Sequence, residues 1–412
     1  MNVLFLDAYY EPESTAYTHL ERDLILGLIN HGHKIKIICP VPTRGITDDI
    51  RKLYRKKCYE LQYDGYVDVT RFWAPKEGKN PILRAFRYFW CNFRTYQIAC
   101  KKKGIDVVFS NSTPPTQGLV AAIISNKLSK KNKKKVPFIY SLQDIFPDSM
   151  VNAGMTKYNS FLWKIGRKLE DFTYNHAKRI IVIGKGFEKN IIEKGVDKSK
   201  ISVITNWIDL DDVVPVSKCD NVLYKDLRID ENKFTVLYAG NFGSLQGADI
   251  IVNAARQLKD FKDIQFVVFG GGPLFENAVE MANGLVNIHM NKLMPLNRIS
   301  EVYSMGDVAI ITCKKGTGKA GMPSKTWSIM ACNTPVIASF DIESDLADII
   351  KESNAGECIE PENVDSLCEA IIRMYNKKNR TLNLRSYVKD YASKENCVMK
   401  FVEEFEKVGD IL

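Results

Sequence analysis

Residues 316–339, GTGKAGMPSKTWSIMACNTPVIAS, read as a glycine-rich loop, a helix, a tight turn and a buried strand. Pro323 fixes φ where the helix begins, and Ser324 offers a hydroxyl to a free backbone N–H of the first turn. Lys325 falls in that same turn, an unfavourable place for a cation unless an anion is bound. Small residues, a helix start, a hydroxyl and an ammonium together point to a phosphate site.

The same alternation continues outward in both directions. Apolar runs at 2–7, 34–39, 67–72, 106–111, 138–142, 179–183 and 201–204 read as strands, with amphipathic stretches such as 17–30 and 116–128 between them. The pattern restarts at 235–239, 265–269, 286–289, 308–312, 335–338 and 356–359. This is the signature of α/β architecture, with two doubly wound, Rossmann-like parallel sheets. The expected domains are 1–206 and 207–386, joined near 206–233. Residues 387–412 read as one or two final helices that complete the first domain.

A chain of 412 residues with 45% hydrophobic and 26% charged residues fits two globular domains. It opens on a strand rather than a signal peptide, and no apolar run approaches membrane-spanning length. The ten cysteines form no C-x-x-C pair, which argues for reduced thiols in the cytoplasm and against a structural zinc site. Charge is uneven. Residues 1–205 carry 35 Lys and Arg against 19 Asp and Glu, while 206–412 carry 23 against 30. The basic half should face an anionic partner (a membrane surface, a phosphorylated lipid or nucleic acid) or be a solvated basic surface.

In doubly wound sheets ligands bind at the carboxyl ends of strands. In the second unit those ends carry Gly240-Asn241-Phe242-Gly243 and Gly270-Gly271-Gly272-Pro273, which allow close backbone approach. Neither is a dinucleotide fingerprint. The stretch 313–320 lacks the first glycine and the final Ser/Thr of a P-loop. In the first unit the strand ends carry 8–15 with Glu13, Ser14 and Thr15, then 112–115 with Ser112 and Thr113, then 143–149 with Asp144 and Asp148. Asp144 and Glu13 are carboxylates placed to bind sugar hydroxyls or take a proton. Asp144 or Asp148 could equally cap a loop or helix.

Taken together, FSNSTPPTQG at 109–118, DIFPDS at 144–149, VITNWID at 203–209, YAGNFGSLQG at 238–247, FGGGPL at 269–274 and the segment 322–339 resemble a family 4 glycosyltransferase of GT-B fold. Within that family the DIFPDS and PSKTWS segments resemble a bacterial branch of O-antigen and capsule biosynthesis, whose members often transfer N-acetylated deoxysugars. The resemblance implies two domains facing across a cleft. It implies a UDP-sugar donor held by Ser324, Lys325, Thr326 and Ser328, with Gly240, Asn241, Gly270, Gly271, Gly272 and Pro273 lining its pocket and Leu293 and Met294 near the base. It implies an acceptor site at Glu13, Ser14, Thr15, Ser112, Thr113 and Asp144, with Asp144 and Lys325 as the catalytic pair. The implied acceptor is a polyprenyl-diphosphate-linked saccharide at the cytoplasmic face of the plasma membrane, with no nucleic acid partner, no cofactor and no metal. Transfer would retain the anomeric configuration.

The chain departs from the family pattern. Asn241 and Gln246 stand where many members place Arg and Lys, Ala320 and Ser328 stand where many place two glutamates, and Gln143 stands where a His is common. Lys315 or Lys319 could supply missing positive charge. Loss of the first glutamate suits a donor lacking a hydroxyl. The same departures suit one alternative, a catalytically silent scaffold or partner subunit. Another, a UDP-sugar epimerase, shares the architecture but would need a paired acid and base in the cleft, and no such pair is visible.

One further segment, 80–103, interleaves aromatic and basic residues. Phe86, Phe89, Trp90 and Phe93 fall on one helical arc, with Arg84, Arg87, Arg94 and Lys101–Lys103 nearby. The segment reads either as an interfacial membrane helix or as a core helix with snorkelling arginines.

Overall fold

Runs of consecutive apolar residues form the interiors of two parallel sheets. The computed structural model describes all residues except 14, 16, 79, 153, 319–320, 378–381 and 410–412. The chain divides into two compact units, Met1–Thr205 with Cys397–Leu412, and Asn206–Asn396. The tail is therefore shared. Helix Leu384–Ala392 belongs to the second unit, whereas helix Lys394–Gly409 passes into the first from Cys397 onward.

In the first unit the strands are β1 (Asn2–Leu6), β2 (Lys34–Pro40), β3 (Tyr59–Gln62), β4 (Val67–Phe72), β5 (Val107–Asn111), β6 (Phe138–Leu142), β7 (Arg179–Val182) and β8 (Ile201–Val203). Their order is β3-β4-β2-β1-β5-β6-β7-β8, and every pairing is parallel except β3 with β4. Strand β3 was absent from the sequence reading. Its residues YELQ alternate polar and apolar over only four positions at the sheet edge, too short a pattern to stand out. From β1 the chain moves toward β2 and from β5 it moves the opposite way, so the order reverses between β1 and β5. Phe405, on the returning helix, packs against Phe5 of β1 and Phe109 of β5, with ring centres 6.4 and 5.4 Å apart.

In the second unit the strands are β9 (Phe234–Asn241), β10 (Ile264–Gly271), β11 (Ile288–Lys292), β12 (Val308–Thr312), β13 (Val336–Ser339) and β14 (Gly356–Ile359), ordered β11-β10-β9-β12-β13-β14 and all parallel. Alternate residues of one strand enter different cores. Leu237 and Ala239 pack on one face of the sheet, and Val236 and Tyr238 on the other. Burial on both faces explains why the inner strands β9, β10, β12 and β13 read as nearly continuous apolar runs. Here the reversal lies between β9 and β12. Among the described residues no helix is long and apolar enough to cross a membrane.

Candidate active site

At the β9–β12 reversal of the second unit lies a cavity of about 480 Å3. Ala239, Gly240 and Asn241 form one wall at the end of β9, Thr312 and Cys313 another at the end of β12, and Met322–Lys325 a third. This is where a doubly wound sheet opens a crevice for a ligand.

Lys325 opens helix Lys325–Ala331. Its Nζ lies 3.3 Å from the Ala239 carbonyl oxygen and 4.3 Å from the centre of the Tyr238 ring. Tyr238 is itself fixed, its hydroxyl donating to the Asn241 carbonyl at 2.9 Å. The lysine residue is partly exposed, but its ammonium is enclosed by protein atoms, and that burial pushes its pKa down to about 8. Gly240 makes room for it, since a Cβ there would stand 2.8 Å from the ammonium. Among the described lining residues Lys325 carries the one positive charge, and none is a carboxylate.

Other expected donor residues are placed differently. Ser324 lines the cavity, but its hydroxyl caps nothing because its backbone is already helical, whereas an N-cap needs extended backbone. The first turn closes instead from the Thr326 amide to the Pro323 carbonyl at 3.0 Å. Thr326 and Ser328 are buried and do not line the cavity, and neither do Gly270, Gly271, Gly272, Pro273, Leu293 or Met294. Those at the end of β10 brace the cavity wall from behind. Gly270 and Gly271 pair with Gly240 and Asn241 in the β9–β10 register. The Phe242 amide donates to the Gly271 carbonyl at 2.6 Å, and the Leu293 amide to that of Gly270 at 3.1 Å. Gly272 takes φ of +105° hard against Asn241, a position open only to glycine. Met294 packs on the core. Asn241 and Gln246, the positions without the usual cations, both line the cavity and reach each other at 3.5 Å. Lys319 and Ala320 lie outside the described residues.

The sequence reading missed Asp341. Its buried carboxylate accepts the Gly316 amide on Oδ1 and the Gly318 amide on Oδ2, both at 2.8 Å. It thereby anchors the glycine loop that places Thr317 in the cavity wall. Lys315 is tied to the same region through its amide, which donates to Glu362.

At the β1–β5 reversal of the first unit, Ser112 clips two loops together. Its buried Oγ accepts the Gln143 amide at 2.9 Å and the Asp144 amide at 3.0 Å. Thr113 is exposed beside it, its amide donating to Asn111. Asp144 reaches the surface. Partial desolvation pushes its carboxyl up, opposed by the Ser149 hydroxyl and the Ile145 amide, and its exposure limits the shift. Asp148 is a structural anchor. Burial would raise its pKa, but Lys194 at 2.8 Å, Asn190 and Trp163 hold it below the usual value.

Glu13 is buried, and its Oε1 accepts the Thr43 and Arg44 amides at 2.5 and 2.8 Å. It holds the loop after β2. Thr15 bonds Thr18 through their hydroxyls at 2.9 Å, and Ser14 lies outside the described residues. Below these loops sits a carboxyl pair that the sequence did not reveal, Asp7 at the end of β1 and Glu21 on helix Thr18–Asn30. Burial pushes Asp7 up to about 7 and Glu21 well above its ordinary value, and the Asp7 charge raises Glu21 further.

Comparison with known proteins agrees with this arrangement. Residues 22–212 match the family model Glycosyltransferase Family 4, and 222–395 match Glycosyl transferases group 1. WbjE of Pseudomonas aeruginosa, named a glycosyltransferase, is 25% identical over 82% of this chain and 86% of its own. WcaI of Escherichia coli (strain K12), named a colanic acid biosynthesis glycosyl transferase, is 24% identical over 98% of this chain and 99% of its own. An Escherichia coli UDP-Gal:alpha-D-GlcNAc-diphosphoundecaprenol alpha-1,3-galactosyltransferase is 26% identical over 58% of this chain and 59% of its own. Among solved structures, sucrose-phosphate synthase from Thermosynechococcus elongatus superposes with a TM-score of 0.73 at 14% identity, covering 100% of both chains. Anabaena HepE in complex with UDP does so at 0.69 and 15%, covering 99% of this chain and 100% of its own. With both units matched by family models and the GT-B fold in place, the chain belongs to the family 4 glycosyltransferases and resembles those of O-antigen and capsule assembly.

Proposed function

We propose that this glycosyltransferase takes a UDP-sugar in the cavity of its second unit and passes the sugar, with retention of configuration, to a polyprenyl-diphosphate-linked saccharide in the synthesis of a bacterial cell-surface polysaccharide. The observation that carries this reading is Lys325, a desolvated ammonium in a cavity that holds no counter-charge among its described lining residues. A diphosphate is the anion such a site suits, because its oxygens gain a charge-assisted bond where water competes poorly. Solved complexes of HepE with UDP support the nucleotide, and the galactosyltransferase relative is named for a diphosphoundecaprenol acceptor.

In this reading Lys325 stabilises the charge that grows on the departing UDP, a role a metal plays in other transferases, so no metal is required. The leaving phosphate accepts the proton of the attacking acceptor hydroxyl on the same face of the sugar. Asp144 orients that hydroxyl. The protein works in the cytoplasm at the inner face of the plasma membrane. Titrating the protein with UDP, ADP and GDP by calorimetry, then assaying release of UDP from a panel of UDP-sugars with lipid-linked acceptors, tests the proposal. Equal or absent binding of all three nucleotides would remove it.

A further inference from the structure

Helix Pro81–Ala99 divides its residues cleanly. Arg87 is buried and donates to the Thr43 hydroxyl at 3.3 Å, and Trp90 turns inward, its Nε1 donating to the Trp73 carbonyl at 2.9 Å. Phe86, Phe89 and Phe93, at spacings of three and four, point into solvent, Phe89 with 69% of its surface exposed. A second helix, Phe161–His176, does the same at its start. Phe161 is 82% exposed, with Leu162 and Ile165 exposed beside it. Scattered surface apolar residues are ordinary, but two aligned apolar stripes are not.

The two stripes share one side of the first unit. Both helices pack against helix Gln117–Asn132, so all three cover the same face of the sheet. The first begins in the connection that follows the carboxyl end of β4. The second starts against the loop after β6, where the Trp163 Nε1 donates to Asp148 at 3.2 Å, and runs back to the start of β7. Phe86 and Phe161 therefore sit at the end of the sheet that carries the Asn111–Thr113 and Gln143–Asp148 loops. With one helix between them, the stripes lie roughly 20 Å apart, two helix spacings.

Charge identifies what covers them. Between Glu77 and Glu170 the sequence holds 17 Lys and Arg but 3 Asp and Glu, and those three (Asp106, Asp144 and Asp148) all lie in loops or at a helix start on strand ends. Neither helix has a carboxylate before Glu170. Lys164 and Lys168 are exposed on the second helix and Arg84 on the first. Glu77, which pairs with Arg84 at 3.4 Å, and Glu170, which pairs with Arg167, have side chains only 8% and 5% exposed, and Asp171 is matched by Arg167. The surface around the apolar side chains therefore stays net positive and suits an anionic bilayer. We infer that Phe86, Phe89 and Phe93 together with Phe161, Leu162 and Ile165 form one two-footed surface that docks on anionic lipid, with the acceptor loops held over the bilayer between the feet. This inference rests on the membrane location in the proposed function and adds the second foot.

The test is flotation of the full chain with vesicles of phosphatidylglycerol and phosphatidylethanolamine at low salt, against phosphatidylcholine alone. The variants are Phe89→Ser and the pair Phe161→Ser with Leu162→Ser, each checked for unchanged melting temperature and unchanged UDP binding. The expected result is that wild type floats with anionic vesicles only and that each variant lowers partitioning about tenfold or more. If the Phe161/Leu162 pair floats like wild type while Phe89→Ser does not, the second foot is overturned and the membrane location stands. A wild type that never floats overturns both. Concentration-dependent self-association abolished by Phe89→Ser, without vesicle binding, would assign the surface to a second copy of the chain and overturn the inference. Failure of UDP binding in wild type would strike the donor reading alone.

Discussion

The ammonium of Lys325 stands over the ring of Tyr238, and burial rather than a neighbouring charge sets its acidity at about 8. A bound diphosphate favours the charged form, so the lysine takes up a proton when the donor binds above that pH. UDP affinity should be flat below about pH 7 and fall by up to tenfold per unit above about pH 8. Lys325→Arg should flatten the profile, because arginine stays charged, and Lys325→Ala should weaken UDP by about 10- to 100-fold at neutral pH. Calorimetry in buffers of different ionisation enthalpy reads both affinity and proton uptake. An affinity that ignores pH across the alkaline range would show that the ammonium does not meet the phosphates.

Gly240→Ala tests the same site from the opposite wall. The new methyl would stand 2.8 Å from a flexible ammonium rather than from backbone, so the lysine moves and the fold survives. Stability should change by less than about 1 kcal/mol, while UDP affinity falls about tenfold. A variant that binds UDP like wild type would mean that the ammonium has another resting place.

Asp341→Asn addresses the loop rather than the ligand. The amide side chain keeps one acceptor oxygen and sets an NH2 against an amide that needs an acceptor. The loss should be about 1.5–3 kcal/mol at the Gly316–Gly318 loop. Hydrogen exchange at these amides should accelerate, and KM for the donor should rise more than kcat falls. Unchanged exchange would show that the loop is held elsewhere.

Asp7→Asn should change how stability responds to pH. Asp7 titrates higher in the folded chain than in the unfolded one, so between about pH 4 and 7 the folded state binds more protons and stability falls as pH rises. The asparagine removes one titrating group, so the slope should lessen by up to about 1.4 kcal/mol per unit and the variant should gain on wild type as pH climbs. Denaturant midpoints measured across that window decide it. A constant difference between the two proteins would show that Asp7 does not ionise there.

Thirteen of the strands were legible, the inner ones because double-sided burial writes them as nearly uninterrupted apolar runs, as in NVLFL of β1 and VAIIT of β12, and others such as VDVTRF of β4 by their alternation. Only β3 escaped, an edge strand with one face in water. The glycine loops and Lys325 were legible too, since a cation at a helix start is locally odd. Asp341 was not, because its partners lie 25 and 23 residues away and only the β12–β13 register brings them together. Nor was the Asp7–Glu21 pair. Glu21 in the first turn of an amphipathic helix reads as an ordinary solvent-facing acid that favours the helix start. Thr326 and Ser328 are ligands only by the family resemblance, and the helix turns both toward the core.

The chain route has a consequence for synthesis. Asn206–Asn396 is an uninterrupted stretch, whereas the sheet of β1–β8 needs Phe405 from the far side of that stretch. On the ribosome the usual order is therefore inverted. The segment made second can finish folding first, and the segment made first waits with the apolar face of β1 and β5 uncovered until helix Lys394–Gly409 emerges. Nascent chains stalled shortly before Phe405 should be the ones that chaperones hold and proteases cut, with the cuts falling before residue 206.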